Sequence, residues 1–119
     1  MEIKQKSYDL EERTFKFAQE VRILVNKLSK TISNIEDGKQ VVRSSGSTGA
    51  NYIEANECLG KKDFIMKIKI CRKEAKESRY WLRLLDNITN LQFSDQLKRL
   101  AKESMELMMI FSSIMRKIS

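Results

Sequence analysis

RSSGSTGANYIEANE, residues 43–57, is the stretch on which the fold turns. It holds two glycines, three serines and a threonine in a sequence otherwise rich in helix formers. It is either a loop that cradles a phosphate or a helix made slender so that something can press against it. A Walker loop needs GxxxxGK[ST] after a strand, with a lysine that reaches the phosphates. Here Gly46 and Gly49 are followed by Ala50 and Asn51, with no strand pattern before them and no lysine after them. The dinucleotide fingerprint GxGxxG is absent too. A helix fits better: Val41, Ser45, Thr48, Tyr52 and Ala55 recur at alternating spacings of four and three. Small residues permit close backbone approach, so close helix packing is predicted at Gly46, Gly49 and Ala50. Ser44, Ser45 and Thr48 can bond back to carbonyls four residues earlier. Each glycine costs roughly 1 kcal/mol against alanine in a helix interior, a cost offset by packing or by a binding surface at the same place.

The rest of the chain agrees with helix. Its 119 residues contain no proline and four glycines, and suit a single domain spanning 1–119. Periodicity predicts helices at about 10–32, 37–59, 62–89 and 94–117. The first buries Leu10, Phe17, Ala18, Val21, Val25, Leu28 and Ile32, with Ser7 or Asp9 as its cap. Asn34–Gly38 makes the break. The second continues its stripe to Leu59, and Gly60 closes it. The third buries Phe64, Ile68, Cys71, Ala75, Ser78, Leu82 and Leu85. The fourth, starting at Ser94 with Asp95 behind it, buries Leu97, Leu100, Ala101, Ser104, Leu107, Met108, Phe111 and Met115. Short connections make sequential helices antiparallel neighbours. The prediction is an all-α, antiparallel up-down-up-down four-helix bundle. A three-helix domain of the helix-turn-helix type competes, but its helices are much shorter.

Several apolar residues lie off these stripes: Phe15, Ile23, Ile70, Trp81, Leu84, Ile88, Met105, Met109 and Ile110. One buried side needs one stripe. A second suggests a homo-oligomer, with Ile70, Trp81, Leu84, Met105 and Met109 as candidate subunit contacts. Scattered exposed apolar residues are the ordinary alternative.

The net charge is +7, from 23 basic and 16 acidic residues. Most of the excess lies between Lys61 and Arg83, where nine basic residues face Asp63, Glu74 and Glu77. Lys62, Lys69, Lys73 and Lys76 make one ridge, and Arg72, Arg79 and Arg83 a second. Tyr80 and Trp81 stand beside them, able to stack on bases or to anchor a subunit contact. Lys62, Lys69, Arg72, Lys73, Lys76 and Arg79 are therefore candidate phosphate contacts to RNA or DNA. The alternative is a solvated, partly paired face on a structural or protein-interaction module, with Glu54, Glu57, Glu74 and Glu77 as pairing partners.

The chain has no histidine. That removes Ser/His/Asp and Cys/His catalysis and the Glu-x-x-His ligands of di-iron bundles, leaving Glu54 and Glu57 without partners for a metal. No catalytic residue, metal or cofactor is predicted, and no enzyme. MEIKQKSYDLEERTF has no apolar run to serve as a leader, and no stretch approaches a membrane span. A cytoplasmic location is expected, with Cys58 and Cys71 as free thiols.

Three ordered segments, YDLEERTFKFAQEVR (8–22), GKQVVRSSGSTGANYIEANE (38–57) and KKDFIMKIKICRKEAKESRYWLRLL (61–85), resemble the four-helix bundle proteins encoded in intervening sequences of bacterial 23S ribosomal RNA genes. The family is also similar to the accessory protein of diversity-generating retroelements. The resemblance covers nearly the whole chain and implies a homopentameric ring. By analogy with the accessory protein, it also implies association with nucleic acid and with a protein partner such as a reverse transcriptase. It brings no catalytic residues with it.

Overall fold

The computed structural model describes residues 2–118. Four long helices, α1 (Glu2–Lys27), α2 (Ile32–Asn56), α3 (Lys61–Leu85) and α4 (Ser94–Ile118), pack as an antiparallel all-α bundle. A 3-10 segment, Ile88–Phe93, joins α3 to α4. The body measures 45 × 23 × 19 Å. That length matches helices of 25 or 26 residues, each about 38 Å at 1.5 Å per residue. α2 packs broadly on α3 and α3 on α4, whereas the α1–α4 seam is slight.

Arg43–Glu57 is helical through Asn56, with Glu57 as the C-cap of α2. Val41, Ser44, Ser45, Thr48, Tyr52 and Ala55 are buried. The hydroxyls are satisfied, though of the three only Thr48 bonds a carbonyl four residues back. Thr48 Oγ1 donates to Ser44 O at 2.9 Å, Ser45 Oγ to Val42 O at 3.3 Å, and Ser44 Oγ meets Ser78 Oγ of α3 at 2.7 Å. Ser78 and Ser104 bond their own helices' carbonyls in the same way. Buried hydroxyls of this kind take up little volume and leave no unpaired polar group, so α2 and α3 lie close.

The glycines face α1. A Cβ on Gly49 would stand 2.9 Å from Thr14 Oγ1 and 3.2 Å from Thr14 Cβ. On Gly46 it would meet only the guanidinium end of Arg22, at 2.9 Å. Ala50, expected to share this packing, is exposed and lines an open groove instead.

The core is built from Leu10, Phe17, Val21 and Leu24 of α1, Leu28 just past its end, and Ile68, Cys71, Ala75, Leu82 and Leu85 of α3. α4 adds Leu97, Leu100, Leu107 and Phe111. Tyr52 packs on Phe111 with ring centroids 5.9 Å apart. Leu24 replaces Ala18 and Val25 on the α1 stripe. Ala18, Val25, Phe64, Ala101, Met108 and Met115 are only half-buried. Each fully buried leucine or phenylalanine contributes about 1.5–3 kcal/mol.

The helix ends depart from expectation in four places. α1 starts at Glu2, so neither Ser7 nor Asp9 caps it. α2 starts at Ile32 because Thr31 is its N-cap, accepting from the Asn34 amide at 3.1 Å. Asn34–Gly38 is therefore helix and not a break. Gly38 is buried against Val25, and Ile32, one residue past the cap, is 86% exposed. Gly60 does not close α2 in a left-handed turn. It is extended, φ −111° and ψ 152°, and heads α3, while Leu59 lies beyond the helix and is exposed. α3 stops at Leu85, four residues early, because Asn90 Nδ2 takes the Leu85 carbonyl at 2.7 Å and the Asn87 side chain opens the 3-10 segment.

Candidate nucleic-acid interface

α3 carries nine basic and three acidic side chains, net +6. Its buried stripe, Ile68, Cys71, Ala75, Ser78, Leu82 and Leu85, fixes which side faces solvent. On that side stand Lys62, Lys69, Lys73 and Lys76, all exposed, at spacings of seven, four and three. A helix rises 1.5 Å per residue, so the four ammonium groups follow a line of about 21 Å. Arg72 and Arg79, half-buried and seven residues apart, flank that line on one side.

Glu74 and Glu77 flank it on the other, and they are held away from the lysines. Arg43 of α2 reaches over to both: Nη1 to Glu74 Oε1 at 3.4 Å and Nη2 to Glu77 Oε1 at 3.6 Å. Glu74 is buried, so its charge needs that partner. Glu54 of α2 takes Lys67 at 2.6 Å. That hydrogen bond raises the Lys67 pKa. Glu57 is exposed and makes no ion pair among the described residues. Nor do Lys62, Lys69, Arg72, Lys73, Lys76 and Arg79. Three of the four acids expected to neutralise the ridge, Glu54, Glu74 and Glu77, are thus spent on Lys67 and Arg43.

Tyr80 stands four residues after Lys76 on the same side and is 57% exposed. Its ring meets Trp81 edge-on, with centroids 5.0 Å apart at 78°. Trp81 packs against the core, and its buried Nε1 has no hydrogen-bond partner among the described residues.

The candidate subunit contacts fall on α3 and α4. Ile70 and Trp81 lie four residues on either side of Glu74 and Glu77, on the flank of α3 that faces α2. Leu84 is exposed near the C-terminal end of α3, and Met105 and Met109 lie on α4, Met109 exposed. Periodicity did not locate the groove of about 450 Å³ between α1 and α2. Its walls include Phe15 and Ile53, both more than half exposed, and its floor Gly46, Gly49 and Ala50. Its signals in the sequence were the small residues Gly46, Gly49 and Ala50, and Phe15 off the α1 stripe.

Several charges elsewhere pair across helices. Between α1 and α4, Arg13 forks onto Glu103 at 2.7 and 2.8 Å and reaches Glu106 at 2.9 Å, which raises the guanidinium pKa. Arg99 bonds Glu20 at 2.8 Å. No helix among the described residues is long and apolar enough to cross a membrane.

The bundle geometry agrees with a comparison of sequences. The family model described as 23S rRNA-intervening sequence protein matches residues 2–113. The chain belongs to that family. Among solved structures it is similar to a protein with unknown function from the S23 ribosomal protein family of Bacteroides thetaiotaomicron. The two are 30% identical with a TM-score of 0.79, over 93% of this chain and 98% of that one. No functionally curated protein matches the chain. The family match spans α1 to α3 and α4 as far as residue 113, and names no catalytic residue.

Proposed function

We propose that this member of the 23S rRNA-intervening sequence family is a non-enzymatic nucleic-acid-binding protein that holds phosphates with the exposed side of α3. The observation that carries this is the unpaired state of Lys62, Lys69, Lys73 and Lys76 beside acids already committed to Arg43 and Lys67. A row of free ammonium groups on a rigid helix releases counterions from a polyanion on contact. Arg72 and Arg79 add guanidinium forks at its edge. Recognition through phosphates carries no sequence information.

Fluorescence anisotropy with a labelled RNA, run across a salt series, tests this. The wild type binds at about 50 mM salt, and its affinity falls steeply toward several hundred millimolar. Lys69→Glu, Lys73→Glu and Lys76→Glu together abolish binding and leave the helical circular dichroism unchanged. Binding that survives the triple variant, or no binding at any salt, sinks the proposal. The latter result favours a protein-interaction module.

The α1–α2 groove supports a second element of the same proposal, that the bundle self-associates. Phe15, Ala50 and Ile53 form an apolar floor and walls that a helix of another copy can cover. Repetition of such a head-to-tail contact closes a ring, five-membered by the family resemblance. Light scattering gives the subunit number. A monomer that stays monomeric at high concentration refutes this element and leaves the α3 proposal standing.

A further inference from the structure

The geometry points to single-stranded nucleic acid as the ligand of α3, with Tyr80 as the platform on which one of its bases stacks. This rests on the phosphate-binding role proposed for the lysine ridge. Lys69, Lys73 and Lys76 lie within about 10 Å along one helix, a single file of cations that follows one phosphate backbone. Tyr80 comes next on that file, four residues past Lys76 and seven past Lys73. The residue is 57% exposed, and its ring is held by the edge contact with Trp81, which packs on the core. A held, open aromatic face in line with cations is the arrangement that binds unpaired bases, because every base offers a flat face for stacking. A duplex cannot use it: its bases are stacked on each other inside the helix, and only phosphates and groove edges reach a convex protein surface. The phenol itself has no hydrogen-bond partner among the described residues, so folding alone gives Tyr80 no polar role.

The test compares a twelve-nucleotide single-stranded oligouridylate with an RNA duplex of equal length, at low salt, for the wild type, Tyr80→Ala and Tyr80→Phe. The expected result is a loss of about fivefold to a hundredfold on the single strand for Tyr80→Ala. Duplex affinity does not change, and Tyr80→Phe behaves as wild type. The chain's one tryptophan, Trp81, should change its fluorescence with the single strand and not with the duplex. Single-strand affinity within twofold of wild type for Tyr80→Ala, or equal losses on both ligands, overturns the stacking role and leaves the ridge intact. A change in particle mass in place of affinity, read by light scattering, overturns it by making Tyr80 a subunit contact. A wild type that binds neither RNA overturns both this inference and the proposed function.

Discussion

Asn34 and Asn90 exchange side-chain amides: Nδ2 of each donates to Oδ1 of the other, at 2.9 and 2.8 Å. Asn34 also donates to Ser29 O at 2.8 Å, and Asn90 to Leu85 O. Both residues are buried. One pair therefore ties together the α1–α2 connection, the first turn of α2, the end of α3 and the 3-10 segment. Asn90→Ala leaves the buried Asn34 Oδ1 without its donor, which costs about 1–3 kcal/mol. The double variant Asn34→Ala with Asn90→Ala should cost clearly less than the two single losses added together. Urea denaturation of the four proteins measures this.

The two glycines of the slender helix should respond differently to alanine. Gly49→Ala drives a methyl against Thr14, a stiff β-branched side chain that is 1% exposed, so it destabilises by about 1–3 kcal/mol. Gly46→Ala meets the mobile end of Arg22, which swings aside. There the gain in helix propensity, about 1 kcal/mol, should dominate. Thermal melts of the two variants should move in opposite directions.

The fold was largely legible for this reason: buried positions recur at three and four along every helix, and no proline interrupts them. The ends were not. Asn34 and Gly38 carry the composition of a turn, yet Thr31, three residues before Asn34, caps the helix, and Asn90, far away in sequence, absorbs the Asn34 side chain. Gly60 follows a helix as closing glycines do, but nothing local says whether it ends that helix or heads the next. The ridge of α3 could be read from spacing. Its unpaired state could not, because Arg43 competes for Glu74 and Glu77 only once α2 lies beside α3.

The two thiols should differ in reactivity. Cys71 is buried, and burial pushes its pKa up to about 12 from the ordinary 9.0. Only thiolate reacts, so near pH 8 a disulfide reagent should modify half-buried Cys58 and spare Cys71 until the protein is denatured. The unfolded chain loses the Cys71 proton at lower pH than the folded one. Stability should therefore fall as pH rises from 9.0 toward 12, and Cys71→Ala should flatten that slope. Chemical denaturation across that range is the measurement.

Trp81 combines a useful ring with an orphaned donor. Trp81→Phe keeps an aromatic on the core and removes the unpaired N–H, so stability should stay within about 1 kcal/mol of wild type. Trp81→Ala removes the ring and should cost about 2–4 kcal/mol. Equal losses in both variants would mean that the indole nitrogen has a partner after all.

The excess charge sits at one corner of the rod. α3 bears +6, while α2 carries three acidic and two basic residues, and α1 five acidic and six basic. Such a distribution gives the molecule an electric moment across its long axis. Near a polyanion it feels a torque before it feels contact, over a range of about 8–10 Å in ordinary salt. An encounter that begins with α1 facing the wrong way is rolled about the long axis until α3 leads.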